Sequence, residues 1–419
     1  MTNVSLLRSL KRARYSEAMV SNKLCYYESK TDPKEQDMIT EQLSFAKSSI
    51  EGGCWAELNI PLFCVIILLF IAIFAALIKW ATYHVLNLSI PISPGSTVSR
   101  RSYEEVVNGF LRDISFQAPN LEFDTGLKLR VENRLQCYGV SQKLITEIEP
   151  CIDTATKISS FTYPFFSHGI LEAIALYATY VIAIDDTTSE ILPDLEAYCS
   201  QLVSGQSQRH ELLRGFTKFL GDKPRLFGKF GGDMIIKGTL EFIAAAVIEH
   251  NQKNVHLPCD AYGYLPFFRA KTGVAEPFAF FCFPEDTDPE DGELGKYICA
   301  IPDIMLFLGY VNDLLSFYKE EIKEEDCPGF VQNYVMVHSS TSLHALRQLR
   351  HETTKKVRKI RSILASDRIM AKRLDQFVNG YIFYHLCAER YRLDELNIPA
   401  AHTARTHFHA LTKRGKEGR

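Results

Sequence analysis

The chain has 419 residues, 46% of them apolar and 11% aromatic, and a formal net charge of −3. That length holds one large domain or two, with apolar surface enough for a sizeable core or a greasy pocket. The charge balance and the lack of a basic stripe interleaved with aromatics exclude an obvious nucleic-acid partner. Eleven cysteines occur without a Cys-x-x-Cys pair or a Cys/His group at zinc spacing. They read as small hydrophobes in a reducing compartment and not as a disulfide framework.

Residues 1–58 carry eight Lys/Arg and eight Asp/Glu and read as a poorly ordered polar tail. Residues 60–78 contain no charge and are dominated by Ile, Leu, Phe and Ala, with Trp55, Trp80 and Tyr83 flanking them. A helix of that length spans a hydrocarbon core, and the aromatics suit its interfaces. The segment, bounded as 59–82, is therefore a candidate single transmembrane helix; a buried core helix is the competing account. Lys79, Arg100 and Arg101 downstream, against Lys47 upstream, favour a cytosolic C-terminal side. The more distal basic residues of the tail argue the other way. Residues 83–96, with Pro91, Pro94 and Gly95, read as a linker.

Between 97 and 396 no alternating strand pattern of any length is visible. Helical periodicity covers 103–114, 127–138, 142–152, 168–184, 192–204, 211–220, 232–249, 263–272, 294–322, 342–366 and 369–391. These segments predict an all-α domain over 97–396, followed by a loose tail over 397–419.

Two oxygen clusters stand out. In the stretch YATYVIAIDDTTSE an apolar helix is expected to end at Asp185 and Asp186, with Glu190 just beyond. Adjacent carboxylates fit poorly at the negative end of a helix dipole. A solvated turn is the ordinary account of a lone pair of this kind; a metal-binding rim over an apolar cavity is the functional one. The second cluster is NDLLSFYKE, in which Asn312, Ser316 and Glu320 recur at i, i+4 and i+8. Four residues turn a helix by about 400°, so the three share one face. Three hard oxygen donors with one formal charge suit Mg²⁺ that also takes oxygens from water and phosphate. The alternative, a solvated polar face, sits badly with the apolar residues around it. Together the two clusters imply a polyanion held through metals at the mouth of an apolar pocket.

The pair of motifs resembles that of class I terpenoid cyclases, and the wider sequence resembles the trichodiene synthase family of sesquiterpene cyclases. VNDLLSFYKE fits the family pattern N-D-L-x-S-F-Y-K-E, LPFFRAKTG matches the segment around its diphosphate-sensing arginine, and GYIFYHLCAERYRLDEL resembles its C-terminal helix. The resemblance implies a class I terpenoid synthase-like helical bundle around a central apolar pocket. It also implies farnesyl diphosphate as substrate and three Mg²⁺ as cofactor. Carried over by position, Asn312, Ser316 and Glu320 would ligate one metal and Asp185 the others, with Asp186 and Glu190 as further metal-binding residues of the acidic rim. Arg269, Lys319, Arg390 and Tyr391 would hold the diphosphate. Tyr177, Tyr180, Phe278, Phe281, Phe317 and Tyr384 are candidates to face a carbocation, with core packing the ordinary account of each. A homodimer is left open.

Two departures stand out. The family has Asp four positions after its first Asp, where this chain has Ser189 followed by Glu190. The apolar segment 60–78 precedes the expected start of a soluble domain. The alternatives to a sesquiterpene cyclase are a prenyl-chain transferase, which normally needs two aspartate-rich motifs, and an inactive tethered scaffold.

Overall fold

Local chemistry starts several of the helices. Ser99, Ser141 and Thr341 each accept the backbone N–H three residues on through their hydroxyls, and the Asp367 carboxylate accepts those of Ile369 and Met370. Each satisfies a donor that the first helical turn leaves orphaned. In the computed structural model, residues 97–417 are described apart from 121–123, 223, 252–256 and 324–328. All belong to one unit, His84–Arg419. The polar tail, the apolar segment 60–78 and the linker 83–96 lie outside the described residues.

The described elements are helical, with no β-strand among them. In chain order they are α1 (Arg100–Asp113), α2 (Leu127–Cys137), α3 (Gln142–Glu147), α4 (Glu149–Thr162), α5 (His168–Val203) and α6 (Glu211–Asp222). There follow α7 (Lys229–Asn251), α8 (Tyr264–Thr272), α9 (Ala275–Phe280), α10 (Glu290–Tyr297) and α11 (Ile301–Lys323). The chain closes with α12 (Phe330–His338), α13 (Ser342–Ile363), α14 (Arg368–Cys387) and α15 (Pro399–Glu417). The expected all-α bundle is what forms. Helix α5 packs between α4 and α7, and α11 is flanked by α9, α13 and α14. One continuous core joins them, from Tyr103 and Phe110 through Tyr177 and Leu315 to Phe408.

Four expectations need correction. The helix through Asp185 and Asp186 does not end there. No Gly or Pro interrupts 177–190, and the Thr187 and Thr188 hydroxyls donate back to the carbonyls of Ala183 and Ile184 at 2.6 and 2.8 Å. The backbone departs from helical angles only at Ile191 (φ −111°, ψ 15°), just ahead of Pro193. The segment 294–322 is broken: α10 and α11 are separated by a 3₁₀ turn, Ile298–Ala300, and Pro302 sits in the first turn of α11. Helix α14 stops at Cys387, so Arg390 and Tyr391 lie on a separate 3₁₀ turn, Glu389–Tyr391. Finally, the segment after 397, expected to be loose, forms α15. Its Ala401, Ala404 and Phe408 are buried, and Arg405 donates to the Cys387 carbonyl and pairs with Glu389.

Candidate active site

Helices α4, α5, α7, α8, α9, α11, α12 and α14 contribute to the wall of one cavity of about 430 Å³, within the roughly 300–1,000 Å³ range of small-molecule sites. Much of its wall is apolar, including Ile158, Val181, Phe242, Leu265, Phe268 and Leu308. Its polar end gathers side chains from four parts of the chain: Asp185 from α5, Arg269 from α8, Asn312, Ser316, Lys319 and Glu320 from α11, and Arg390 and Tyr391 from the turn after α14. Residues separated by more than 200 positions thus meet at one place.

The oxygen stripe of α11 stands as its periodicity demands. Ser316 donates a short hydrogen bond to Glu320 one turn on, so the two oxygens converge. Asn312 is held from both sides. Its Oδ1 accepts from Arg269 Nη2 at 3.2 Å, and its Nδ2 lies 3.3 Å from His385 Nε2. Across the cavity, Asp185 is reached by solvent yet crowded by protein. That desolvation and the adjacent Asp186 push its carboxyl above the ordinary value, against the pull of Arg390, Lys319 and Arg269.

The helix that runs through the acidic pair decides which members of the motif take part. Asp186 points elsewhere, its carboxylate accepting from Cys151 Sγ at 3.5 Å, and does not line the cavity. Glu190 is exposed and likewise absent from the wall. Five residues on a continuous helix rotate by about 140°, whereas four return near the starting face. The position that shares Asp185's face is therefore Ser189.

Arg269 is paired in this state. Burial works against its charge, but Asp313 prevails and holds it protonated, with Nε 2.8 and 2.9 Å from the two carboxylate oxygens. Its Nη2 also donates to the Gly309 carbonyl at 3.3 Å. Arg390 lies 5.7 Å from the centre of the Tyr391 ring, and the carboxylates of Asp186 and Asp185 stabilise its charge.

Of the aromatics singled out in the sequence, Phe278 and Tyr384 line the cavity. Tyr177, Tyr180, Phe281 and Phe317 are core residues: Tyr177 bonds Thr239 and packs on Phe281, Tyr180 stacks on Phe216, and Phe317 packs on Tyr103. Phe242, Tyr264, Phe268, Phe330 and Tyr381 are on the wall instead.

Three polar residues escaped the sequence reading. Asp313 is the partner of Arg269. Glu249, at the end of α7, lines the cavity and is pushed up to about 7 by burial and by Asp185, with Arg269 opposing. His385 is fully buried and pushed down to about 3 by that burial. Asp313 and His385 lay inside quoted segments without a role assigned to them, and nothing local marked Glu249.

The donor set fits Mg²⁺. Among the described residues no three His, Cys, Asp or Glu side chains form a ready-made metal cluster. The set depends on the neutral oxygens of Asn312 and Ser316 together with Glu320 and Asp185, all hard donors of the kind Mg²⁺ takes alongside phosphate.

The profile of the family described as Trichodiene synthase (TRI5) matches residues 136–410. A protein of Metarhizium brunneum named (E)-beta farnesene synthase is 34% identical over 300 residues, covering 71% of this chain and 91% of its own. A trichodiene synthase of Stachybotrys chartarum is 27% identical over 266 residues, covering 63% and 68%. A solved structure titled Linalool/Nerolidol synthase, from Streptomyces clavuligerus, is 14% identical with a TM-score of 0.48, covering 64% of this chain and 99% of that one. With the family profile spanning most of the described residues, the chain belongs to the trichodiene synthase family and is a terpene synthase acting on a prenyl diphosphate.

Proposed function

We propose that the chain is a Mg²⁺-dependent sesquiterpene synthase that ionises farnesyl diphosphate and lets the carbocation rearrange before proton loss. The observation that carries this reading is the single cavity in which an apolar wall meets Asp185, Asn312, Ser316, Glu320, Arg269, Lys319 and Arg390. Asp185, Asn312, Ser316 and Glu320 would hold the metal, which supplies neutralisation of the charge that develops on the departing diphosphate. Arg269, Lys319 and Arg390 add fixed positive charge on the same side. The walls keep water from the cation, and the faces of Phe278, Tyr381 and Tyr384 each offer it roughly 0.5–2 kcal/mol without acting as nucleophiles.

A second reading concerns the product. The relative from Metarhizium brunneum is named for farnesene, an open-chain hydrocarbon that forms when the farnesyl cation loses a proton before any ring closes. Incubation of the full chain with farnesyl diphosphate tests both points. Diphosphate and one hydrocarbon should appear in equal amounts with Mg²⁺, and neither should appear after chelation. Release that requires isopentenyl diphosphate would instead assign a chain elongase, and no release at all an inactive scaffold. Chromatography of the hydrocarbon separates cyclic from open-chain products.

A further inference from the structure

His385 lies in the segment GYIFYHLCAERYRLDEL with no role assigned to it there, behind the metal-ligand stripe, yet its hydrogen bonds form a chain that reaches that stripe. Its Nδ1 lies 2.8 Å from the carbonyl of Tyr381, one turn back on α14. A carbonyl only accepts, so Nδ1 carries a hydrogen. At the far end of the chain, Arg269 Nη2 only donates, so the Asn312 atom that faces it at 3.2 Å is the amide oxygen. The amide nitrogen therefore faces His385 Nε2 at 3.3 Å, and with two hydrogens to donate it requires a lone pair there. The two ends agree without any hydrogen position being assigned beforehand. A flipped amide would set two donors against each other at Arg269 and two acceptors against each other at His385.

The imidazole is well placed to impose this choice. It is fully buried, stacked on Tyr391 with ring centres 4.6 Å apart, and met edge-on by Tyr381 and Tyr384 at 4.5 and 5.3 Å. Those three rings fix the plane of the imidazole, and the Nδ1 contact with the Tyr381 carbonyl fixes which nitrogen faces Asn312. Outer groups that orient ligands in this way are worth about 10–100-fold in metal affinity.

We propose that His385 is a positioning residue, which locks the Asn312 amide with its oxygen turned away from the imidazole and available as a metal ligand. The proposal rests on the reading of Asn312 as a ligand. A carboxylate in its place carries an oxygen at both positions and needs no orienting, and one of those oxygens would oppose the lone pair of Nε2. The effect of losing His385 should therefore depend on what stands at position 312.

The experiment is a double-mutant cycle on the full chain with His385→Phe and Asn312→Asp. It is read by Mn²⁺ titration with inorganic diphosphate, followed by electron paramagnetic resonance, and by the Mg²⁺ half-saturation of diphosphate release. In the wild-type background His385→Phe should weaken Mn²⁺ binding about tenfold or more. In the Asn312→Asp background the same change should have little effect or improve binding. An equal loss in both backgrounds, or none in either, would overturn the proposal and leave His385 a core residue. Should His385→Phe fail to fold, His385→Gln and His385→Leu replace it. They are of similar size, and only the former keeps an acceptor, so Gln should retain most of the affinity and Leu should not; equal affinities would overturn the proposal. A wild-type chain that neither binds Mn²⁺ with diphosphate nor releases diphosphate overturns the functional reading as well. The wild-type measurement thus separates the two failures.

Discussion

Single side chains at this site are defined as much by the face they occupy as by their chemistry. Asp185 and Ser189 share one face of α5 and Asp186 and Glu190 another, and of the four only Asp185 lines the cavity. Asp185→Ala, Asn312→Ala and Glu320→Ala should each lower turnover by roughly 10²-fold or more, with circular dichroism unchanged. Ser189→Ala and Glu190→Gln should stay within a few-fold of wild type. Losses at Glu190 equal to those at Asp185 would mean that the acidic helix turns differently. Glu249 gives a second test. Its carboxyl binds a proton more tightly when folded, at about 7, than at its ordinary 4.5. The stability this contributes is complete below about pH 4.5 and is lost as pH rises through 7, because the unfolded chain then binds fewer protons. Glu249→Gln removes that loss. Measured by chemical denaturation without divalent cations, its unfolding free energy should resemble wild type's near pH 5 and exceed it near pH 8, by on the order of 1–3 kcal/mol. A constant difference across that range would rule out titration of Glu249 as the cause.

Among elements, α4 and α14 approach each other closely, and a glycine permits it. A Cβ at Gly380 would overlap the backbone carbonyl of Phe161, which has no rotamer with which to move aside. Gly380→Ala should therefore destabilise the fold by about 1–3 kcal/mol, as overpacked cores do. It should also reduce activity, since Tyr381 and Tyr384 sit on the same stretch of α14 and line the cavity. Chemical denaturation checks the first point, and wild-type stability would show that the two helices can part. Helix α15 belongs to the same assembly, with Phe408 edge-on to Phe161 at 5.8 Å. The basic, small-residue composition after 397 suggested a free tail, and its few apolar positions have meaning only beside the groove that receives them.

For the whole molecule, the first of the described residues on the cavity wall is Thr154, on α4. The apolar segment 60–78 is proposed as a membrane anchor that leaves the catalytic unit on the cytosolic side. A chain beginning near Ser96 should then be soluble and retain turnover, while the full chain should sediment with membranes and resist high salt. Release of the full chain by salt would reduce the segment to a peripheral or buried role. An inactive short chain would show that earlier residues help to close the cavity.

What the sequence determined alone was whatever depends on neighbours along the helix. The alignment of Asn312, Ser316 and Glu320 follows from 3.6 residues per turn, and the all-α architecture follows from long helical periodicity without alternation. What periodicity cannot carry is contact across elements. Whether Asp186 faces the cavity depended on α5 continuing past it, and the state of Arg269 depended on Asp313 arriving from α11. Glu249 and His385 look like ordinary helical residues until α7 packs against α5 and α8, and α14 against α11. Tertiary structure decided these because burial and hydrogen-bond partners are properties of the assembled bundle, and no local pattern encodes them.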